Sequence, residues 1–177
     1  MKPPYEFGTE RLHLRPPQIE DAALIFESYA QDPDVTKYLV WQPHKSVNET
    51  KSFLNRCVSV WAEGSAYPWV LTRNEDGKLI GMVEVRIDRY KADLGYVLTK
   101  TEWGKGYITE AVRAIVAWGL SQEEIYRVWA VCDVENRASA RVLEKVGMRK
   151  EGVLRRWIIH PNISNEPRDC YSYARAK

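Results

Sequence analysis

A hairpin turn between two alternating stretches constrains this fold more than any other feature of the chain. Asp76-Gly77 is a strong signal for a tight β-turn, and it separates predicted strands at 67–73 and 79–88. A further strand is predicted at 94–98. Because parallel neighbours need a long crossover connection, this antiparallel meander excludes a fully parallel, doubly wound sheet.

The rest of the pattern surrounds the meander with helices and more strands. Apolar residues recur at helical spacing at 19–30, after the Ser46/Glu49 capping box, at 108–116 and after Asn136. The second of these helices is predicted to bury Val47, Leu54, Val58 and Trp61. Strands are predicted at 9–15, 126–133, 153–159 and 170–174, and residues 31–46 are predicted to form a loop that caps a cleft. The predicted fold is α/β (α+β), with a mixed, largely antiparallel sheet of about seven strands and about four flanking helices.

Length and charge limit the classes of protein to which the chain can belong. Its 177 residues predict a single domain over 1–177. A formal net charge of +2 gives no sustained attraction to DNA, and the longest apolar run, 114–120, is too short to span a membrane. Three isolated cysteines and no signal-like start predict a cytoplasmic protein, and the cysteines and histidines lack the spacing of a metal site.

The most informative stretch is a predicted strand followed by a glycine loop and a helix. Gly104 and Gly106 let the backbone approach a ligand, and the start of the helix presents N–H groups without intrahelical partners. Lys105 adds a cation, so an anion is predicted there, with a pyrophosphate as the expected group. Both known glycine-rich nucleotide signatures are absent, which disfavours a nucleotide-binding protein. A short glycine pair is also typical of an ordinary tight turn, and that alternative stays open.

Four phrases in fixed order carry a resemblance to a known family. They are Thr9-Glu10-Arg11-Leu12, W-G-K-G-Y-x-T-E-A at 103–111, N-x-x-S-x-x-V-L-E-K-x-G at 136–147, and R-D-C-Y-S-Y-A at 168–174. Asn136 alone is equally explained as a helix N-cap. Together the phrases resemble the GNAT superfamily of N-acetyltransferases, and most of all the RimJ/RimL type, which acetylates the N-termini of ribosomal proteins.

The resemblance implies a sheet that splays between its fourth and fifth strands, with acetyl-CoA entering the cleft from one side and an amine from the other. The carried-over cofactor-binding residues are Tyr96, Val97, Leu98, Trp103, Gly104, Lys105, Gly106, Tyr107, Ile108, Thr109, Asn136 and Ser139. Two positions depart from the family pattern. Trp103 replaces Arg or Gln, and Ile108 replaces Gly or Ala, although its place in the apolar stripe of the helix predicts a core position.

The resemblance also implies direct attack of a neutral amine on the thioester in a ternary complex. The N–H of Val97 or Leu98 would polarise the thioester carbonyl. Ser139 would supply the proton for the leaving thiolate, because Leu143 stands where many relatives have a tyrosine.

The base that accepts the proton of the amine is less well defined by the sequence. Glu84 and Asp93 are the two candidates, and each is also explained as a solvated charge on a strand face. Neutralising a lysine at pH 7 costs about 4.5 kcal/mol, against roughly 1 kcal/mol for an α-amine. Without an obvious strong base, an α-amine or another amine of low pKa is therefore the expected acceptor.

The acceptor stays open between a protein N-terminus and a small-molecule amine. Tyr29, Tyr38, Trp41 and Trp61 either border the acceptor side or fill the core, and exposed rings would serve a homodimer as well as a substrate. The basic segment 149–177, with Arg155, Arg156 and His160, would suit an acidic acceptor, RNA or a solvated strand edge. The near-neutral charge disfavours an RNA-associated module, and the presence of Ser139 disfavours a non-catalytic acyl-CoA-binding sensor.

Overall fold

Eight strands form one mixed sheet in the computed structural model, which describes residues 2–177. They are β1 (Phe7–Gly8), β2 (Leu12–Arg15), β3 (Tyr67–Arg73), β4 (Leu79–Asp88), β5 (Lys91–Leu98), β6 (Arg127–Asp133), β7 (Arg149–Ile158) and β8 (Arg168–Ala176). Their order across the sheet is β1-β2-β3-β4-β5-β6-β8-β7. Every pairing is antiparallel except that of β5 with β6, so the prediction of a mixed, largely antiparallel sheet is confirmed.

Helices cover both faces of this sheet. They are α1 (Ala22–Ile25), continued by a π-helical turn at Phe26–Ala30, α2 (Pro33–Thr36), α3 (Val47–Glu63), α4 (Tyr107–Ser121) and α5 (Arg137–Lys145). α1 and α3 pack with Val70 and Met82 on one face, and α4 packs with Val83 on the other. None of the helices within residues 2–177 is long and apolar enough to cross a membrane.

The structure adds one strand and one helix to the predicted set, and both are short. β1 has two residues and α2 has four, which is too few for a periodic pattern to be visible in the sequence. α2 lies inside the segment predicted as a loop. Pro33 at its start and the Asp32 side chain, which accepts a hydrogen bond from Asp34 N–H at 2.8 Å, are what begin it.

The buried face of α3 matches its prediction at Leu54 and Trp61 but not at Val47, which is only partly buried, or at Val58. Thr50, Leu54, Cys57 and Trp61 are buried, whereas Val58 is 45% exposed. The predicted start is correct: the Ser46 hydroxyl accepts from the N–H of Glu49 at 3.3 Å. The Glu49 carboxylate, however, accepts from Lys45 N–H rather than from Ser46, so the capping box is shifted by one residue.

The two middle strands of the sheet separate along half of their length. β5 and β6 pair only through Lys91–Asp93 and Arg127–Trp129. Beyond Asp93, β5 remains paired with β4, and β6 remains paired with β8. The result is a V-shaped opening between the free halves of β5 and β6, which is the splay that the resemblance implies between the fourth and fifth predicted strands.

Candidate active site

The V-shaped opening is the mouth of a cleft of about 930 Å³. The free half of β5 lies on one side of it, and the end of β6, including Cys132 and Asp133, lies on the other. The starts of α4 and α5 border one face of the sheet, and residues 34–41 with Phe53 and Arg56 border the other. One cleft therefore opens to both faces of the sheet, as a reaction between two substrates requires.

The unpaired edge of β5 supplies backbone groups to this cleft. Thr99 N–H donates to the Ile80 carbonyl of β4 at 2.8 Å, and a Cβ at Gly81 would collide with the Val97 carbonyl oxygen. Thr99 and Val97 therefore direct their backbone groups towards β4. Because these directions alternate along a strand, Leu98 and Tyr96 direct theirs into the cleft. The backbone N–H that faces the cleft is thus that of Leu98, and not that of Val97.

The glycine loop has the backbone shape that an anion site needs. Gly104 and Gly106 have φ angles of +79° and +84°, a region that disfavours side chains. α4 begins after Gly106 without a side-chain cap, so its first N–H groups remain available to a ligand. Gly104 and Gly106 line the cleft, and a Cβ at Gly104 would meet nothing within 4 Å. The loop therefore offers room, N–H donors and the positive end of a helix dipole at one place.

The side chains of the loop are mostly engaged elsewhere. The Lys105 ammonium pairs with buried Glu102 at 2.9 Å, so the backbone rather than this cation faces the cleft. The Trp103 indole N–H donates to the Leu98 carbonyl at 2.8 Å, which fastens the loop to the end of β5. Tyr107 is buried, and Ile108 packs partly against the core while still lining the cleft next to Thr109.

An ion pair joins the loop to the start of the chain. Glu110 of α4 accepts from Thr9 Oγ1 at 2.6 Å, from Arg11 N–H at 2.8 Å and from Arg11 Nε at 2.7 Å. Burial opposes the charged carboxylate, but these hydrogen bonds outweigh it and lower the pKa of Glu110. Arg11 also donates to the Lys105 carbonyl at 3.1 Å. Two of the four sequence phrases thus form one contact that holds the glycine loop.

α5 brings a serine to the opposite side of the cleft. The Asn136 side chain caps this helix by accepting a hydrogen bond from Ser139 N–H at 3.1 Å. This is the N-cap position that the sequence also allowed for Asn136. The Ser139 hydroxyl lies 2.7 Å from the hydroxyl of Tyr96, a residue of β5 on the other side of the V-shaped opening. Leu143, in the position where many relatives have a tyrosine, is fully buried. The structure therefore places a phenol next to Ser139, but from β5 rather than from α5.

The Tyr96 side chain is the site residue that sequence reasoning missed. The resemblance assigned only its backbone, whereas its hydroxyl contacts Ser139 from 43 residues away in the sequence. Burial raises the pKa of Tyr96, and the hydrogen bond with Ser139 lowers it only in part, so the phenol is protonated at neutral pH. The available signal was the aromatic side chain of Tyr96 itself, because it stands on a strand that the sequence already assigned to the site.

The two candidate bases share a single guanidinium. Arg86 donates to Glu84 at 2.8 Å and to Asp93 through Nε at 2.9 Å. Burial opposes the charge of Arg86, but these carboxylates raise its pKa above the usual value. Glu84 lines the cleft, whereas Asp93 lies at the closed end of the V, where β5 and β6 are paired. Neither carboxylate is free of a counter-charge.

A buried histidine from the β7–β8 loop closes the far end of the cleft. His160 is 3% exposed; its Nε2 lies 3.7 Å from Asp133 Oδ2, and its ring packs edge-on against Tyr38. The Leu39 backbone is also close, yet neither ring nitrogen completes a well-formed hydrogen bond. Burial lowers the pKa of His160 more than Asp133 raises it. His160 is thus part of the wall, unlike exposed Arg155 and Arg156 with which the sequence grouped it.

The protonation of His160 predicts a pH-dependent stability. The pKa is depressed in the folded state, so the unfolded chain binds the proton first as the pH falls below about 6.5. Stability is therefore complete above that pH and declines towards pH 5, with a slope of at most about 1.4 kcal/mol per pH unit for one proton. We expect His160→Gln to flatten this part of the curve, measured by chemical unfolding at pH 5 to 8.

A second histidine contributes to the same part of the curve. His44 also has a pKa lowered by burial, so His44→Gln should remove a separate share of the same slope. The carboxylates with lowered pKa, such as Asp133, begin to lose their stabilising effect only at about pH 5, the lower limit of this range. An unchanged slope in His160→Gln would show that the ring is protonated equally well in both states.

Known proteins share this architecture and parts of the sequence. A family model described as an acetyltransferase (GNAT) domain matches residues 11–149, most of the chain. The chain belongs to the GNAT acetyltransferase family. This match confirms the resemblance drawn from the four phrases. It also confirms the prediction that the protein is an acetyltransferase.

Individual relatives agree with the family match. A Bacillus licheniformis protein named Uncharacterized N-acetyltransferase p20 is 31% identical over 150 residues, covering 83% of this chain and 84% of its own. A GNAT acetyltransferase from Bacillus anthracis has the same fold, with a TM-score of 0.83, 28% identity and coverage of 97% and 98% of the two chains. RimL, a ribosomal α-N-protein acetyltransferase solved with coenzyme A, superposes with a TM-score of 0.83 at 20% identity, over 95% of both chains.

Proposed function

We propose that this protein, as one domain over residues 1–177, transfers the acetyl group of acetyl-CoA to a primary amine in a ternary complex. The acceptor is a protein N-terminal α-amine or a small-molecule amine. The observation that supports this most is the uncapped N-terminus of α4, with two glycines at positive φ, beside the unpaired edge of β5. It matches the needs of a pyrophosphate followed by an extended pantetheine arm.

The residues of the chain fit acetyl-CoA without a metal. The N–H groups at Gly104, Gly106 and the start of α4 would hold the pyrophosphate, and the free edge of β5 would hold the arm as an added strand. Acetyl-CoA supplies an acetyl group activated as a thioester. No group of three or more His, Cys, Asp or Glu residues in 2–177 is placed to bind a metal ion.

Three groups of the chain then have defined tasks. The Leu98 N–H, which faces the cleft, would donate to the carbonyl oxygen as negative charge develops there. Ser139 Oγ would donate its proton towards the leaving sulfur, and the proton released by the acceptor nitrogen after its attack would return to Ser139 through solvent. Tyr96 keeps its own proton because its pKa is raised, so it acts as a positioning residue that orients the Ser139 hydroxyl.

The acceptor amine must arrive with a low pKa or lose its proton to solvent. Glu84 remains the better placed candidate base, yet Arg86 neutralises it at 2.8 Å. The Glu84 oxygen that accepts from Arg86 is occupied, so an incoming ammonium would have to compete with the guanidinium for it. The pairing therefore supports an α-amine or another amine that is easily deprotonated over a lysine side chain.

Calorimetric titration with acetyl-CoA tests the cofactor half of the proposal, with ATP and NADH as controls. We expect a dissociation constant on the order of micromolar for acetyl-CoA alone. Release of the free thiol in the presence of amines and peptide N-termini then tests transfer. Binding without transfer to any amine would favour the non-catalytic sensor, and absence of binding would contradict the proposal.

A further inference from the structure

The half of the cleft opposite the α4 and α5 starts has a characteristic lining of rings and cations. Trp41 and Phe53 lie 6.3 Å apart, with the His44 ring against both of them. The Arg56 guanidinium lies over the Phe53 ring at 5.5 Å. Trp41, Phe53 and Arg56 line the cleft, and we call them the acceptor wall.

Every carboxylate that lines the cleft is already paired. Asp34 binds Lys100 at 2.6 Å, Glu84 binds Arg86 at 2.8 Å, and Asp133 binds Arg168 at 2.6 Å. Each carboxylate that lines the cleft is therefore held by a cation, although Arg86 and Arg168 are each shared with a second carboxylate outside the lining, Asp93 and Glu135. An acceptor that carries only cations would have to compete with these side chains for a carboxylate.

Arg56 forms no ion pair with any residue between 2 and 177. It is exposed and lines the cleft, and its guanidinium carbon lies over the Phe53 ring rather than beside a carboxylate. Contact with a ring limits the freedom of the guanidinium and leaves its N–H donors for another group. Lys37, at the rim of the same half, also lacks an ion pair and adds to the positive potential.

We infer that the acceptor amine belongs to a molecule that also carries a carboxylate or phosphate, which Arg56 binds while the rest of the molecule lies against Trp41 and Phe53. This inference rests on the proposed function and specifies its acceptor. A guanidinium binds either anion through two parallel hydrogen bonds, so both sources share one chemistry. The arrangement disfavours polyamines, whose several cations would be repelled by Arg56.

Matched pairs of acceptors test the inference by kcat/KM. Phosphoethanolamine is compared with ethanolamine, tyrosine with tyramine, and a peptide bearing two glutamates after its first residue with the same peptide bearing two glutamines. Spermidine is the cationic probe. We expect the anionic member to be preferred by about tenfold or more in at least one pair, since a charge-assisted hydrogen bond contributes that much. The pair that responds identifies the phosphate, amino-acid or peptide source.

Variants of Arg56 separate charge from shape. We expect Arg56→Gln to abolish the preference and Arg56→Glu to reverse it, measured as the ratio of kcat/KM values within each pair. Lys51→Gln removes an exposed cation from the same helix outside the cleft and should leave the preference intact. An unchanged ratio in Arg56→Glu, or native preference for spermidine, would overturn the inference.

Acetyl-CoA binding by each variant distinguishes this inference from the proposed function. Arg56 lies on the face opposite the glycine loop, so the dissociation constant of acetyl-CoA should be unchanged. Normal acetyl-CoA binding with no anion preference overturns the inference alone. Failure of the native protein to bind acetyl-CoA overturns the proposed function, and the inference falls with it.

Discussion

Replacing Gly106 with glutamate should weaken acetyl-CoA binding at least about a hundredfold, a loss of roughly 2.7 kcal/mol. Gly106 has a φ of +84° and stands immediately before the free N–H groups of α4. A glutamate there would add a negative charge where the pyrophosphate is expected, and would strain the turn that aims the N–H groups. Calorimetric titration of the variant with acetyl-CoA measures the effect.

A second glycine with the same backbone geometry provides the control. Gly77 has a φ of +69° in the β3–β4 turn, where a Cβ would meet nothing within 4 Å. Gly77→Glu should therefore cost a similar amount of stability, about 1 kcal/mol, and leave acetyl-CoA binding intact. If both variants bind acetyl-CoA like the native chain, the anion does not sit at α4.

The second large effect is expected at the Tyr96–Ser139 contact. Ser139→Ala should lower kcat about a hundredfold, because proton transfer by a positioned group contributes at least that much to a rate. Tyr96→Phe should lower kcat about tenfold, since the ring stays and only the hydroxyl that orients Ser139 is lost. Binding of acetyl-CoA, measured by calorimetry, should change little in either variant.

A double variant tests whether the two hydroxyls act as a unit. If Tyr96 works only through Ser139, the combined Tyr96→Phe/Ser139→Ala variant should be no slower than Ser139→Ala alone. Tyr173→Phe is the matched control, because that hydroxyl bonds Glu144 at 3.0 Å and does not line the cleft. If Ser139→Ala kept the native kcat, water rather than Ser139 would protonate the leaving thiolate. Neither Ser139 nor Tyr96 would then have its proposed role.

The elements of the fold were predictable where local signals were strong. Asp76-Gly77 does make the β3–β4 turn, Asn136 does cap α5, and apolar periodicity does mark α4. These features depend on residues within a few positions of one another, so their physics is present in a short stretch of sequence. Val58 shows the limit of such signals. Whether Val58 or the adjacent Cys57 is buried depends on the elements that pack against α3, which the local sequence does not identify.

The site was predictable in its backbone and less so in its side chains. The glycine loop and the start of α4 lie where the sequence places them. Lys105 was expected to face the ligand, yet buried Glu102 takes its charge. Nothing in the sequence indicated that Arg86 would pair with both Glu84 and Asp93. Both partners are close in sequence, but only the folded backbone shows that their side chains meet.

By itself the sequence determined the family, the mixed sheet and the position of the glycine loop before the uncapped helix start, since short-range signals and ordered motifs carry them. Only the tertiary structure decided which groups meet in the cleft. It placed the Tyr96 hydroxyl on Ser139, turned the Leu98 N–H towards the opening and left Arg56 without a carboxylate partner on the acceptor wall. The first of these contacts joins residues 43 apart in the chain, and all three depend on distances and burial that no local pattern contains.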